Sequence, residues 1–324
     1  MHTGGEPLRI ILEGYPKLDT ISILETRKQL TNNHDDLRQF LMWEPRGHSD
    51  MYGLLRVNPE RSDSAFGVIF MHNEGYSTMC GHATIAIGKA AVDLGWVKKS
   101  NPITSFKIDA PCGQLEVFTS IENGHATQVS FLNVPSFFLG TYTIDFEEFG
   151  TITYDIAYGG AFYAYANISQ FSLSCDPGNG SDLIRIGRRL KAAISASNHD
   201  ILHPFEDDLS FLYGCVFIEN VQEASIHSKN VCIFADGELD RSATGSGVSG
   251  RAAILHHKRE LNIGESIRIQ SIIGSHMDVE INSVIPYGKY SAVIPKVSGH
   301  AFYTGEHHFW MDPNDPLKDG FLIR

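Results

Sequence analysis

Two stretches of the chain combine residue types and spacings that suit chemistry: Cys80-Gly81-His82, and Asp240 to Ser246, read as DRSATGS. A cysteine just ahead of a helix meets the unpaired N–H groups of the first turn and the positive end of the macrodipole. Both favour the thiolate and are expected to lower its pKa from about 8.5. The same N–H groups can hold a substrate carboxylate. Cys80 with the amides of Gly81 and His82 fits that description, although alone it fits a buried core cysteine as well. The second stretch tips the balance, because it sets Asp240 four residues ahead of Thr244 and the amides of Gly245 and Ser246 at another helix start. Two converging helix N-termini make a cage for an anion, and Asp240 supplies a negative group for a substrate ammonium. The expected ligand is a small zwitterion, an α-amino or imino acid.

The spacing Gly245-x-Gly247-x-x-Gly250 imitates a dinucleotide-binding fingerprint. Such a site needs its first glycine directly after a buried strand, and an acidic residue about 20 positions later at the end of the next strand. Here the polar run ADGELDRSAT separates Phe234 from Gly245, and SIRIQSIIG offers no terminal acid. No dinucleotide is expected, and no other cofactor. Fifteen histidines include no HExxH pair, and the neighbours His256-His257 and His307-His308 cannot share a helix face, so no metal is expected.

The elements that position these residues follow from the pattern of the chain. Its 324 residues suit two domains. Apolar residues at 42% and charged residues at 20% describe an ordinary globular protein, and a net charge of -12 without any basic block argues against nucleic acid. No basic-then-apolar leader opens the chain and no apolar run reaches about 20 residues, so neither a signal peptide nor a membrane span is expected. Five cysteines without CxxC spacing suit reduced thiols in the cytoplasm. Strands are expected at 8–12, 66–71, 106–109, 115–119, 212–218, 231–234 and 267–272. Leu183, Ile186, Leu190 and Ile194 form one face of a helix over 182–195 with Asp182 as N-cap, and 22–42 is helical in two pieces broken near Asn32-Asn33.

The segments 80–95 and 244–261 differ from these. They are rich in glycine and alanine and lack a broad polar face in their first turns, as a helix buried on all sides must. Each follows two strands, which follow an amphipathic helix, and several strands come after. The interval from that amphipathic helix to Cys80 or Thr244 is about 60 residues in both halves, which points to a duplicated domain. The expectation is two curled sheets, each around a central helix, with the helix N-termini facing a shared cleft.

HTGGEP (2–7), EPRGHSDMYG (44–53), NEGYSTMCGHATIA (73–86), DIAYGGAFYA (155–164) and DRSATGSG (240–247) together resemble the proline racemase family, from the first residues to the closing DPNDPLKDGF. That family includes hydroxyproline epimerases and trans-3-hydroxy-L-proline dehydratases. The resemblance implies an α+β, diaminopimelate-epimerase-like fold of two pseudo-symmetric mixed β-barrel domains, each around a central helix, with the active site between them. We place the first domain at 1–135, the second at 136–300, and expect 301–324 to pack back on the first. A homodimer is implied as well. The chain begins almost at the first motif of the family pattern, with little ahead of His2, so the first strand is expected to be short or the start truncated.

Racemases and epimerases of this family use two cysteines, one on each face of the substrate Cα. The first corresponds to Cys80. The second falls at Thr244, in a motif that reads DRSPCGTG in those relatives. Asp240 keeps its place, as do the backbone amides of Gly81, His82, Gly245 and Ser246. A threonine hydroxyl ionises too weakly to serve as an acid–base partner near neutral pH, so two-base inversion is expected to fail. The Cys/Thr pair resembles the dehydratases, and stereochemistry agrees. In trans-3-hydroxy-L-proline the carboxylate and hydroxyl lie on opposite ring faces, so the Cα proton shares the hydroxyl's face. One group there can remove the proton and return it to the departing hydroxide. Cys80 is expected to do both, with the amides stabilising charge developing from Cα. The enamine product would become Δ1-pyrroline-2-carboxylate.

Thr244 is expected to pack and hydrogen-bond beside the substrate, or to orient the substrate or a water. Phe234 is either a wall of the ring's apolar side or core. Ala83 and Ala161 replace a glycine and an asparagine frequent in the racemases, and Cys112, at a hairpin, is expected to be structural. Two other functions stay open: a residual racemase or epimerase of proline derivatives, and a non-catalytic imino-acid-binding relative.

Overall fold

The amphipathic region ahead of Cys80 folds as helices α1 (Ile23–Asn33) and α2 (Asp35–Met42). Ser22 caps α1 by accepting the Glu25 N–H at 3.1 Å. The break falls at His34, whose extended φ of -142° leaves the helix after Asn32 and Asn33 have completed its last turn, one residue beyond the expected point. The computed structural model describes residues 1–18, 21–197 and 200–323.

From α2 the chain runs through strands Tyr52–Val57, Phe66–His72 and Tyr76–Ser77 into α3 (Gly81–Asp93). Strands Ile103–Ala110, Gly113–Glu122 and His125–Leu132 follow. After strands Phe137–Phe146, Gly150–Tyr158 and Phe162–Asn167 the same order returns. It consists of α4 (Gly180–Ala196), strands Leu212–Asn220, Ser228–Phe234 and Glu238–Leu239, and α5 (Gly245–His257). Strands Ser266–Gln270, His276–Tyr287 and Tyr290–Phe302 end the regular structure.

Strand pairing repeats along with the order. Leu54 lies opposite Phe70 in an antiparallel pair, as Val216 lies opposite Cys232. The short strand before each central helix folds back antiparallel, setting Ser77 opposite Phe70 and Glu238 opposite Phe234. The first strand after each helix runs parallel to the long strand ahead of that short one, with Phe66 beside Ile108 and Ser228 beside Ile269. This is the α+β, duplicated arrangement expected from the sequence.

Both central helices are buried almost throughout, α3 at every residue from Gly81 to Ala86. Small residues let the sheets close on them: a β-carbon on Gly88 would lie 2.6 Å from a Val129 methyl. Gly250 of α5 similarly faces the Tyr165 hydroxyl. Two of the glycines in the dinucleotide-like spacing therefore serve packing, since Gly245 meets the backbone of α3. Leu183, Ile186, Leu190 and Ile194 are buried as expected, but Asp182 is not the cap of α4. A turn at Pro177–Asn179 starts the helix earlier, with Asn179 at the N-cap and Asp182 in the first turn, where its charge still complements the macrodipole.

Strand Tyr290–Phe302 ties the halves together. Ser298 pairs with both Asp278 and Ser130, and Ala301 pairs with Thr3. Beyond it the chain returns to α2, where Phe321 bridges Glu44 and the Lys318 carbonyl accepts from Arg46 at 2.5 Å. Arg324 lies outside the described residues. No helix among the described residues is long and apolar enough to cross a membrane.

Candidate active site

The N-termini of α3 and α5 meet head to head. Gly81 and Gly245 touch backbone to backbone, so a β-carbon on Gly245 would lie 2.5 Å from the Gly81 Cα. Around that contact, Cys80, Gly81, His82, Asp240, Thr244, Gly245 and Ser246 line one cleft with an empty volume of about 270 Å³. All seven residues singled out from the sequence thus lie together. The cleft is narrow, and its lining has room for a small molecule only.

Cys80 is the N-cap of α3. Its sulfur accepts the Ala83 N–H at 3.4 Å and its carbonyl accepts from Thr84. The His82 ring comes back toward it, with Nδ1 3.2 Å from Sγ. A His82 ring N–H also bonds the Pro7 carbonyl, and burial holds the ring neutral with its pKa lowered to about 4. The nitrogen facing the sulfur is then an acceptor for the thiol proton.

The expected low thiol pKa is not what this cleft produces. Cys80 is 5% exposed, and burial pushes the thiol well above its ordinary value. The Ala83 N–H and Tyr52 hydroxyl favour the thiolate but are outweighed, and the charges of Asp240 and Glu6 add to the rise. Desolvation exceeds the pull of the helix N-terminus.

At the opposite helix start Thr244 takes φ +66° and ψ 95°. A β-branched residue is strained there, and local hydrogen bonds hold it. Its Oγ1 donates to Asp240 Oδ2 at 2.7 Å and its N–H donates to Ser242 Oγ at 3.1 Å. The other Asp240 oxygen accepts the Ser242 N–H at 2.7 Å. Thr244 therefore packs at the helix start and orients the Asp240 carboxylate.

Several lining residues were missed from sequence. Tyr52, Met79, Tyr163 and Tyr213 wall the cleft with Phe234, so Phe234 is lining as well as core. Tyr163 bonds Ser246 Oγ at 2.8 Å, and Tyr213 stacks on Phe234 with centroids 5.5 Å apart. Isolated aromatics in strands read as core, and nothing local marks which side of a curled sheet faces a cleft. Glu6, in the N-terminal motif, is fully buried. It accepts the Arg241 N–H at 2.6 Å, and burial followed by the Asp240 charge raises its pKa well above the carboxylate range.

Cys112 sits in the turn between strands Ile103–Ala110 and Gly113–Glu122, where burial pushes its thiol up to about 12. It does not line the cleft. The five cysteines are free, and among the described residues no three His, Cys, Asp or Glu side chains are placed to hold a metal ion. Ala83 supplies the N–H to Cys80, and Ala161 is buried with its carbonyl bonded to the Gly159 N–H.

Residues 1–322 match the family described as proline racemase. The chain belongs to the proline racemase family. A relative named trans-3-hydroxy-L-proline dehydratase, from Colwellia psychrerythraea strain 34H, is 47% identical over 324 residues, covering all of this chain and 91% of that one. Another, from Burkholderia multivorans and named 3-hydroxyproline 2-epimerase, is 42% identical over 325 residues, covering 100% and 97%. The crystal structure of a hydroxyproline epimerase from Agrobacterium vitis, with bound trans-4-hydroxy-L-proline, superposes with a TM-score of 0.94 at 28% identity, covering 99% and 93%. Racemase-family architecture is thus retained around a Cys80/Thr244 pair.

Proposed function

We propose that this protein dehydrates trans-3-hydroxy-L-proline to Δ1-pyrroline-2-carboxylate, with Cys80 as the acid–base residue. The carrying observation is that the two helix starts face each other with a thiol on one side and, on the other, a threonine hydroxyl already donating to Asp240. A substrate carboxylate fits the amides of Gly81, His82, Gly245 and Ser246, and its ammonium fits Asp240. The ammonium offsets the Asp240 charge, one of the groups holding the Cys80 thiol up, so binding favours the thiolate. The His82 ring, kept neutral by burial, accepts a hydrogen bond from the Cys80 thiol through Nδ1 and so orients it.

The Cys80 thiolate removes the Cα proton. The C–H electrons stay on Cα as a carbanion whose charge spreads onto the carboxylate; they then form the C2–C3 double bond as the C3–O bond breaks, and the new thiol protonates the departing hydroxide. Water leaves and the thiolate is restored. The enamine then tautomerises to the pyrroline. The amides hold the negative charge that develops on the carboxylate side. Thr244 has no role in proton transfer and fixes Asp240.

The same reading carries independence from a cofactor, a cytoplasmic location and a homodimer. It also divides the chain into 1–135 and 136–300, with 301–324 returning to the first part. A residual epimerase is the second reading, favoured by the name of the B. multivorans relative. Purified protein incubated with trans-3-hydroxy-L-proline, L-proline and trans-4-hydroxy-L-proline in heavy water separates the two. Pyrroline from the 3-hydroxy compound alone supports the dehydratase. Deuterium entering Cα of the other two without loss of water means an isomerase, and no reaction with any of them leaves a binding protein.

A further inference from the structure

Syn elimination places the substrate 3-hydroxyl on the Cys80 face of the ring, so whatever recognises that hydroxyl belongs to the Cys80 side of the cleft. Besides Cys80 and His82, that side presents Tyr52, at the start of strand Tyr52–Val57, which is 2% exposed and lines the cleft. Its ring packs edge-on against the His82 ring with centroids 4.7 Å apart. Its hydroxyl bonds Ser77 Oγ and sits close enough to the Cys80 sulfur to favour the thiolate by hydrogen bonding. Beside it, the buried Tyr213 hydroxyl has no hydrogen bond of ordinary geometry. The Tyr52 and Tyr213 hydroxyls sit side by side in the lining, the second without a hydrogen-bond partner, so this wall is built to meet a polar atom of the ligand, since a buried hydroxyl left unpaired is unfavourable.

We propose that Tyr52, oriented by Ser77, hydrogen-bonds the 3-hydroxyl oxygen of the substrate and is the residue that distinguishes a 3-hydroxylated imino acid from proline. Tyr52 donates to that oxygen as the C3–O bond lengthens, while the proton that completes the water comes from Cys80. Tyr52 stays protonated throughout. Sites built to bond a substrate hydroxyl reject the analogue lacking it, because their own polar groups are then left unpaired. The inference rests on the dehydratase reading given above.

Tyr52→Phe removes the hydroxyl and keeps the ring. The wild type and the variant are compared for pyrroline formation, for exchange of the Cα proton in heavy water, and for competition by L-proline. The expected result is that elimination falls about 100-fold, that Cα exchange falls at least about 10-fold less, and that the preference for the hydroxylated ligand over L-proline collapses. Equal falls in elimination and exchange would mean that Tyr52 acts only through Cys80, and the proposal is overturned. Unchanged elimination overturns it too. If Tyr52→Phe does not fold, Ser77→Ala is read by the same three assays, with a smaller change in the same directions expected and no change counting against the proposal. A wild type that makes no pyrroline defeats the dehydratase reading itself, an outcome separate from either failure of Tyr52.

Discussion

Cys80 and Thr244 stand at the starts of two helices that touch through Gly81 and Gly245, and they do different work. Cys80 receives an amide at 3.4 Å and a ring nitrogen at 3.2 Å, whereas Thr244 turns its hydroxyl to Asp240 at 2.7 Å. One side is equipped to exchange a proton and the other to hold a carboxylate still.

Replacing Cys80 with alanine leaves the cage but removes its acid–base group. Turnover of trans-3-hydroxy-L-proline is expected to fall at least ~100-fold, while L-proline still binds. Calorimetric titration with L-proline beside a pyrroline assay checks both. Retained turnover would place the chemistry elsewhere.

Thr244→Val keeps the shape and removes the donor to Asp240. The carboxylate loses a hydrogen bond, and a destabilisation of about 1–3 kcal/mol is expected in urea unfolding, with KM rising more than kcat falls. Thr244→Cys tests the same position from the other direction. A thiol there stands at the helix start opposite Cys80, and exchange at Cα with inversion is expected. Absence of deuterium at Cα would mean that Thr244 does not lie across the substrate from Cys80.

Gly81→Ala or Gly245→Ala puts a methyl into the helix–helix contact. The helices must separate, at a cost of about 1–3 kcal/mol, and a shift of that kind at the amides is expected to reduce activity ~100-fold. Alanine at Gly75, which has open space around it, is the matched control. Equal effects at the three positions would remove the contact's special role.

The pH profile follows from two shifted groups. Because the Cys80 thiol is raised, kcat/KM is expected to climb with pH beyond neutrality toward and past the ordinary thiol value of about 8.5. Because His82 is lowered to about 4, no limb belonging to it is expected near 6.5. A break at 6.5 that vanishes in His82→Gln would show that the ring is charged in the working enzyme.

Stability carries the opposite signs for His82 and Glu6. His82 folds with a lowered pKa, so the unfolded chain binds its proton first, and stability is lost as pH falls from about 6.5 to about 4, by up to about 3 kcal/mol. Glu6 folds with a raised pKa, so its contribution is present at low pH and declines as pH rises above the unfolded carboxylate range. Glu6→Gln keeps an acceptor for the Arg241 N–H, and is expected to raise Tm at pH 7.5 while leaving it nearly unchanged at pH 4. A lower Tm at pH 7.5 would mean that Glu6 is ionised and stabilising there.

What the chain states locally came through in sequence. Helix starts, the amphipathic face of α4 and the Gly/Ala content of α3 and α5 depend on near neighbours, and so did the placement of Cys80, Asp240 and Thr244 at helix mouths. Duplication was readable because a repeated order of elements survives even where residues differ. The boundary at His34 and the start of α4 at Gly180 were off by a residue or two, since caps depend on backbone angles that composition does not fix.

Two matters belonged to the tertiary structure. Tyr52 and Tyr213 become cleft residues only when two curled sheets set their edges against the helix starts, which no spacing along a strand encodes. The ionisation of Cys80 also reversed direction. Sequence showed the helix N-terminus that attracts a thiolate, whereas the depth of burial and the approach of Asp240 and Glu6 were decided by the packing of one half on the other. A local dipole can be read from a motif, but desolvation depends on everything that surrounds the group.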